Sequence, residues 1–130
     1  MGQPRSILII EDEQFLIDLY RKAFAQRGFT VFEAPDGVSG LEKISRNPFD
    51  MILLDIMLPQ MDGISVLRKI KEESNPHKTT PIFMLTNLGQ ESVIKEALRI
   101  GADGYILKSK YLPNQVVDEI EKFLNDKKAT

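Results

Sequence analysis

The sequence has no cysteine and a single histidine, His77. The first absence excludes a disulfide scaffold, a thiolate zinc site, an iron–sulfur cluster and a cysteine nucleophile. The second leaves neither a His-rich metal site nor a conventional Ser-His-Asp triad. No apolar run reaches the roughly 18 residues of a membrane span, and Met1 to Ser6 carry no signal-peptide pattern. A cytoplasmic location without membrane contact is therefore expected. Lys and Arg number 17 against 19 Asp and Glu, a net charge of −2, so no basic surface for direct nucleic-acid binding is expected. Repeats and low-complexity tracts are also missing. What is there is 130 residues, 42% apolar and 28% charged, the composition of an ordinary globular chain. We expect one domain over 1–130, with its core at about 5–125.

Five short apolar runs read as strands: Ile7–Ile10, Phe29–Ala34, Met51–Leu54, Ile82–Leu85 and Tyr105–Leu107. Three of them lack polar alternation, which suggests strands covered on both faces, as in a parallel sheet. Helical periodicity fills the intervals. Gln14–Arg27 stripes Phe15, Leu19 and Ala23 beside Leu16, Tyr20 and Phe24, with Gly28 as a stop. Asp36 can cap a helix carrying Val38, Leu41 and Ile44, and Asp62 one carrying Ile64, Leu67 and Ile70. Gln90–Ile100 and a helix opening at Pro113 complete the set. Five β-α units predict an α/β domain with helices on both faces of a parallel sheet. The pattern alone does not give the strand order.

The residues that end these runs are polar. Glu11 and Asp12 follow the first, Asp55 the third, Thr86 the fourth and Lys108 the fifth. In a parallel sheet all strand C-termini share one edge, where ligands bind. Glu11 or Asp12 alone reads as a turn cap. Asp55 is different, because Ile56, Met57 and Leu58 continue the apolar run past it, and a buried lone carboxylate costs several kcal/mol unless paired. Two carboxylates about 5 Å apart repel by roughly 3 kcal/mol at an effective dielectric of 20, so three need a cation. A hard, oxygen-seeking ion fits, and magnesium keeps positions open for water and phosphate oxygens. With Lys108 as a second positive charge, the set suits a phosphoryl group, and a carboxylate can be its nucleophile.

At these residues the chain resembles the CheY-like receiver domain of two-component response regulators, over about residues 5 to 125. The matching positions are Glu11–Asp12, Asp55, Leu58–Pro59, Asp62–Gly63, Thr86, Tyr105 and Lys108. The resemblance implies a flavodoxin-like (βα)5 doubly wound parallel sheet of order 2-1-3-4-5. It implies that Asp55 accepts a phosphoryl group from a phosphohistidine on a sensor histidine kinase or phosphotransfer protein, in a magnesium-dependent reaction. Asp12, Asp55 and the Met57 carbonyl would ligate Mg2+ directly and Glu11 through water, with Lys108 on the phosphoryl group. Thr86 would swing toward that group and Tyr105 turn inward, altering the face of the fourth helix, fifth strand and fifth helix that a partner reads. The domain would assist its own phosphorylation and dephosphorylation without being an enzyme acting on other substrates. It would work as a monomer or a phosphorylation-dependent dimer, alone or as the receiver of a longer regulator with an output domain.

Three positions depart from the family pattern. Ser109 stands where a proline with a cis bond is usual, and a cis bond there costs roughly 2.5–4 kcal/mol. Asn87 replaces a small residue, and Glu11 an aspartate. Met57 and Leu88 are apolar at the flanks of the site; they either limit attack of water on an acyl phosphate or only pack the loops. Two other functions fit the sequence less well. An aspartyl-phosphate phosphatase would want an acid two residues after its nucleophile, where this chain has Met57. A flavodoxin would want a phosphate loop after the first strand, where Glu11-Asp-Glu13 repels phosphate. His77 reads as a polar loop residue and Gly101–Gly104 as a turn.

Overall fold

Strands β1 (Ser6–Ile10), β3 (Met51–Asp55) and β4 (Ile82–Thr86) are almost wholly apolar because both of their faces are covered. Successive side chains point to opposite sides of a strand. Ile7, Ile9, Met51, Leu53, Phe83 and Leu85 therefore enter one core, and Leu8, Ile10, Ile52, Leu54, Ile82 and Met84 the other. Helices α1 (Gln14–Gln26) and α5 (Pro113–Ala129) close the first core with Tyr20, Phe24, Val116, Val117, Ile120 and Leu124. Helices α2 (Gly37–Arg46), α3 (Gly63–Ile70) and α4 (Glu91–Ile100) close the second with Ile44, Val66, Leu67, Ile70, Ile94 and Ala97. Strands β2 (Thr30–Ala34) and β5 (Gly104–Leu107) form the edges and are less buried.

This computed structural model describes residues 4–87 and 89–129, with the backbone alone at 128 and 129. The sheet order is β2-β1-β3-β4-β5 and every pairing is parallel, so the expected doubly wound α/β fold is the one observed.

Local chemistry explains the helix starts. Asp36 Oδ1 accepts from the Ser39 N–H at 2.8 Å, and Asp62 Oδ1 from the Ser65 N–H at 2.8 Å. Gly63 has a further reason to be glycine: a Cβ there would meet the Asp55 carbonyl oxygen at 2.2 Å. The start of α3 is thereby pressed against the end of β3, and the Gly63 N–H donates to the Ile56 carbonyl at 2.8 Å.

Several boundaries differ from the expectation. Asp55 and Thr86 lie inside their ladders rather than after them, paired with Leu85 and Leu107. Phe29 precedes β2, and Gln90 is the residue before α4 rather than its first turn. The Lys108–Ser109 bond is trans. His77 is not a solvated loop residue: it is buried, its Nδ1 lies 2.8 Å from Thr80 Oγ1, its Nε2 donates to the Asn47 carbonyl at 2.7 Å, and its ring packs on Phe49. Its two ring nitrogens find polar partners in two separate loops, which lets the ring be buried without an unpaired polar atom.

Candidate functional site

Strand alternation decides which polar ends meet. Asp55 continues the parity of Met51 and Leu53, Glu11 that of Ile7 and Ile9, and Lys108 that of Ile106, all on the α1/α5 side. Thr86 continues the parity of Ile82 and Met84, on the side of α2, α3 and α4. The first three converge. Lys108 Nζ lies 2.8 Å from Asp55 Oδ2 and 2.8 Å from Glu11 Oε1. Glu11 Oε2 accepts from the Glu13 N–H at 3.0 Å, and Asp55 Oδ1 from the Met57 N–H at 3.0 Å. Glu11 is 0% and Asp55 2% exposed, whereas Asp12 is open to solvent. One carboxylate oxygen from each of Glu11, Asp12 and Asp55 lies within 4.8 Å of the others.

The electrostatics of this cluster are unbalanced. Three acids face one ammonium. Burial pushes the Glu11 carboxyl up to about 7; the Lys108 hydrogen bond opposes this, and the negative charge of Asp55 adds to it. Burial works against the Lys108 ammonium, but the hydrogen bonds to Asp55 and Glu11 outweigh it, and its pKa is raised. Glu11 Oε1 is buried and, among the described residues, is met by Lys108 Nζ alone at 2.8 Å, which leaves part of its acceptor capacity unused. An under-satisfied buried oxygen beside two more carboxylates is a donor set that fits a hard divalent cation.

Thr86 is equally buried but is not part of this cluster. Its hydroxyl donates to Gln90 Oε1 at 2.6 Å, with a longer contact of 3.2 Å to the Asn87 carbonyl. Its backbone carbonyl accepts from the Lys108 N–H at 2.8 Å, which joins the two regions through the chain. Asn87 is exposed, and its backbone N–H donates to the same Gln90 oxygen at 2.8 Å. Tyr105 is 46% exposed and points outward from the edge strand. Met57 is 61% exposed beside the cluster, and Leu88 lies outside the described residues.

Of the residues singled out from sequence, the fold thus brings together Glu11, Asp12, Asp55 and Lys108, with the Met57 backbone beside them, and holds Thr86 and Tyr105 apart. Gln90 is the residue that sequence reasoning missed. Its position four residues after Thr86, just before a helix, is the signal that could have pointed to it.

Comparison with known proteins agrees with the fold. The sequence pattern of the family described as response regulator receiver domain matches residues 7–121. The transcriptional regulatory protein SrrA of Staphylococcus aureus is 39% identical over 124 residues, which cover 95% of this chain and 49% of that protein. The chain therefore spans about half the length of the curated relatives it matches. A CheY-like response regulator receiver domain protein from Methanospirillum hungatei superposes with a TM-score of 0.88 at 27% identity, covering 98% of both chains. A putative response regulator from Chloroflexus aurantiacus gives 0.86 at 27% identity, covering 95% of this chain and 99% of its own.

Proposed function

This chain belongs to the response regulator receiver domain family, and on that premise we propose that it is a phosphoacceptor switch whose acceptor is Asp55. The observation that carries the proposal is the buried Asp55 carboxylate 2.8 Å from Lys108 Nζ and within a 4.8 Å cluster of Glu11 and Asp12. An oxygen of Asp55 attacks the phosphorus of a phosphohistidine on a sensor histidine kinase or phosphotransfer protein. The oxygen–phosphorus bond forms as the phosphorus–nitrogen bond breaks, and the electron pair leaves on the imidazole nitrogen. Lys108, already charged and with its side chain largely shielded from solvent, offsets the phosphoryl oxygens' charge without having to be brought in. The Met57 N–H holds Asp55 Oδ1 and fixes the carboxylate's orientation. Magnesium is the cation this donor set fits: Asp12, Asp55 and the Met57 carbonyl would hold it directly and Glu11 through water. When bound it supplies charge neutralisation at the transferring group.

Phosphorylation then adds charge and acceptor oxygens at one point. The Thr86 hydroxyl turns toward them, Tyr105 moves inward, and the α4-β5-α5 face changes for a downstream partner. Return to the resting state is attack of water on the acyl phosphate, releasing inorganic phosphate, again at the domain's own site. The exposed Met57 side chain limits that attack: Met57→Asn is expected to speed phosphate loss several-fold, and an unchanged rate would reduce Met57 to loop packing. We read 1–130 as one receiver domain acting in the cytoplasm, as a monomer or a phosphorylation-dependent dimer. Among the described residues no helix is long and apolar enough to cross a membrane. In a second reading the domain serves a longer regulator with an output module, which the roughly doubled length of its relatives favours; the full gene sequence decides this.

The direct test is incubation with acetyl phosphate and magnesium followed by intact-mass measurement. Wild type should gain one phosphoryl group and Asp55→Asn none. A wild type of unchanged mass would overturn the proposal.

A further inference from the structure

We propose that Gln90 is a latch that holds Thr86 in the unphosphorylated arrangement and so sets how readily the domain switches. The inference rests on the receiver reading above and adds to it a positioning residue. The orientation of the Gln90 amide follows from chemistry. The Asn87 backbone N–H can only donate, so the Gln90 atom 2.8 Å from it is the carbonyl oxygen. The same oxygen lies 2.6 Å from Thr86 Oγ1, so the hydroxyl must be the donor there. Both lone pairs of that oxygen are then used.

A threonine hydroxyl carries one proton. In the resting state that proton is given to Gln90; in the phosphorylated state it must be given to a phosphoryl oxygen. The two acceptors compete for it, and the stronger Gln90 holds, the less of the switched state is populated. The latch also has a mechanical consequence. Gln90 precedes α4, and its own carbonyl accepts the Ile94 N–H at 2.9 Å, the first bond of that helix. Its side chain caps nothing on α4 and instead reaches back to the end of β4. Release of Thr86 therefore removes one of the two hydrogen bonds that tie the end of β4 to the start of α4 and leaves the Asn87 N–H bond alone, so the movement of one hydroxyl loosens the hold on a helix.

The test uses magnesium and beryllofluoride, a phosphoryl mimic that binds a carboxylate, titrated against the whole chain while the Asn87 amide resonance is followed by NMR. Gln90→Leu removes the acceptor and is expected to tighten the apparent affinity roughly two- to tenfold, the range one neutral hydrogen bond commands. Gln90→Glu supplies a charged acceptor and should weaken it. In a Thr86→Ala background both effects should vanish, which a merely structural role for Gln90 would not produce. If Gln90→Leu fails to fold, Gln90→Glu with and without Thr86→Ala carries the test in the opposite direction. Wild-type binding with no change in either Gln90 variant, or changes that persist without the Thr86 hydroxyl, would overturn the latch alone. A wild type that takes no beryllofluoride would overturn the latch together with the receiver reading.

Discussion

Two regions share the carboxyl edge of the sheet and are held in different ways. At the ends of β1, β3 and β5, Glu11, Asp55 and Lys108 are locked by two ion pairs of 2.8 Å, all but out of reach of solvent. At the end of β4, Thr86 is held by a neutral hydrogen bond to Gln90. Buried charges cannot be separated without large cost, whereas a neutral hydrogen bond nets about 1 kcal/mol. The acidic region is therefore set before any ligand arrives, and the Thr86 region is one exchange of partner away from a second arrangement. A site that must wait for a phosphoryl group and then report it needs both properties, and the strand parities assign them to opposite faces.

The comparison breaks most sharply at Lys108. Lys108→Met leaves two buried acids without their cation and should cost about 3 kcal/mol at pH 8, as loss of one partner of a buried pair does. The loss should shrink at pH 5, where Glu11 takes up a proton. Urea unfolding at the two pH values measures it; equal, small losses would mean that the cluster is solvated.

Next in size is the pH dependence of the metal-free wild type. Glu11 ordinarily ionises near 4.5 and in the fold at about 7. Between these values the native state binds more protons than the unfolded state, so the Glu11 contribution is fully present below the unfolded pKa and falls as pH rises through the folded one. Stability should drop by on the order of 2–3 kcal/mol from pH 4.5 to pH 8. Glu11→Gln should flatten the curve, and saturating magnesium should do so by binding the ionised form. A wild-type curve that rises over this range would contradict the assignment.

Asp55→Asn sharpens the same contrast at smaller scale. It removes one of three acids that face a single ammonium and lifts the repulsion that helps raise Glu11, at the loss of a lysine partner. The metal-free protein should gain about 1 kcal/mol, and the rise in melting temperature that magnesium gives the wild type should disappear. A destabilised variant that still responds to magnesium would argue against a clustered acidic pocket. Smallest of all is Thr86→Val on the other side of the edge. It should cost about 1 kcal/mol or less, because the Gln90 oxygen keeps the Asn87 N–H as a donor. A loss as large as that of Lys108→Met would erase the distinction between the two regions.

The fold was largely legible because its signals are local. Apolar runs without alternation announce strands covered on both sides, Asp36 and Asp62 stand where helix caps belong, and Gly28 and Gly101 follow helices. Strand order came only through the family resemblance, since periodicity carries no information about neighbours. The acidic site was legible as a set of strand ends, and counting parity from Leu53, Ile9 and Ile106 also tells why Asp55, Glu11 and Lys108 meet while Thr86 does not. What escaped were side-chain torsions and burial in loops. The amide of Gln90 turns backward for a reason that lies in Thr86 and Asn87, not in its own helix. His77 sits in a stretch of polar composition, yet two loops close over it because its ring satisfies both Asn47 and Thr80.

The central claim is that the phosphoryl group goes to one carboxylate among three neighbours. Borohydride reduction of the chain after treatment with acetyl phosphate and magnesium, followed by peptide sequencing, reads this directly, because an acyl phosphate is reduced to the alcohol where a free carboxylate is not. Conversion of residue 55 to homoserine is the predicted result. Conversion at Glu11 or Asp12, or at no position, would contradict the account.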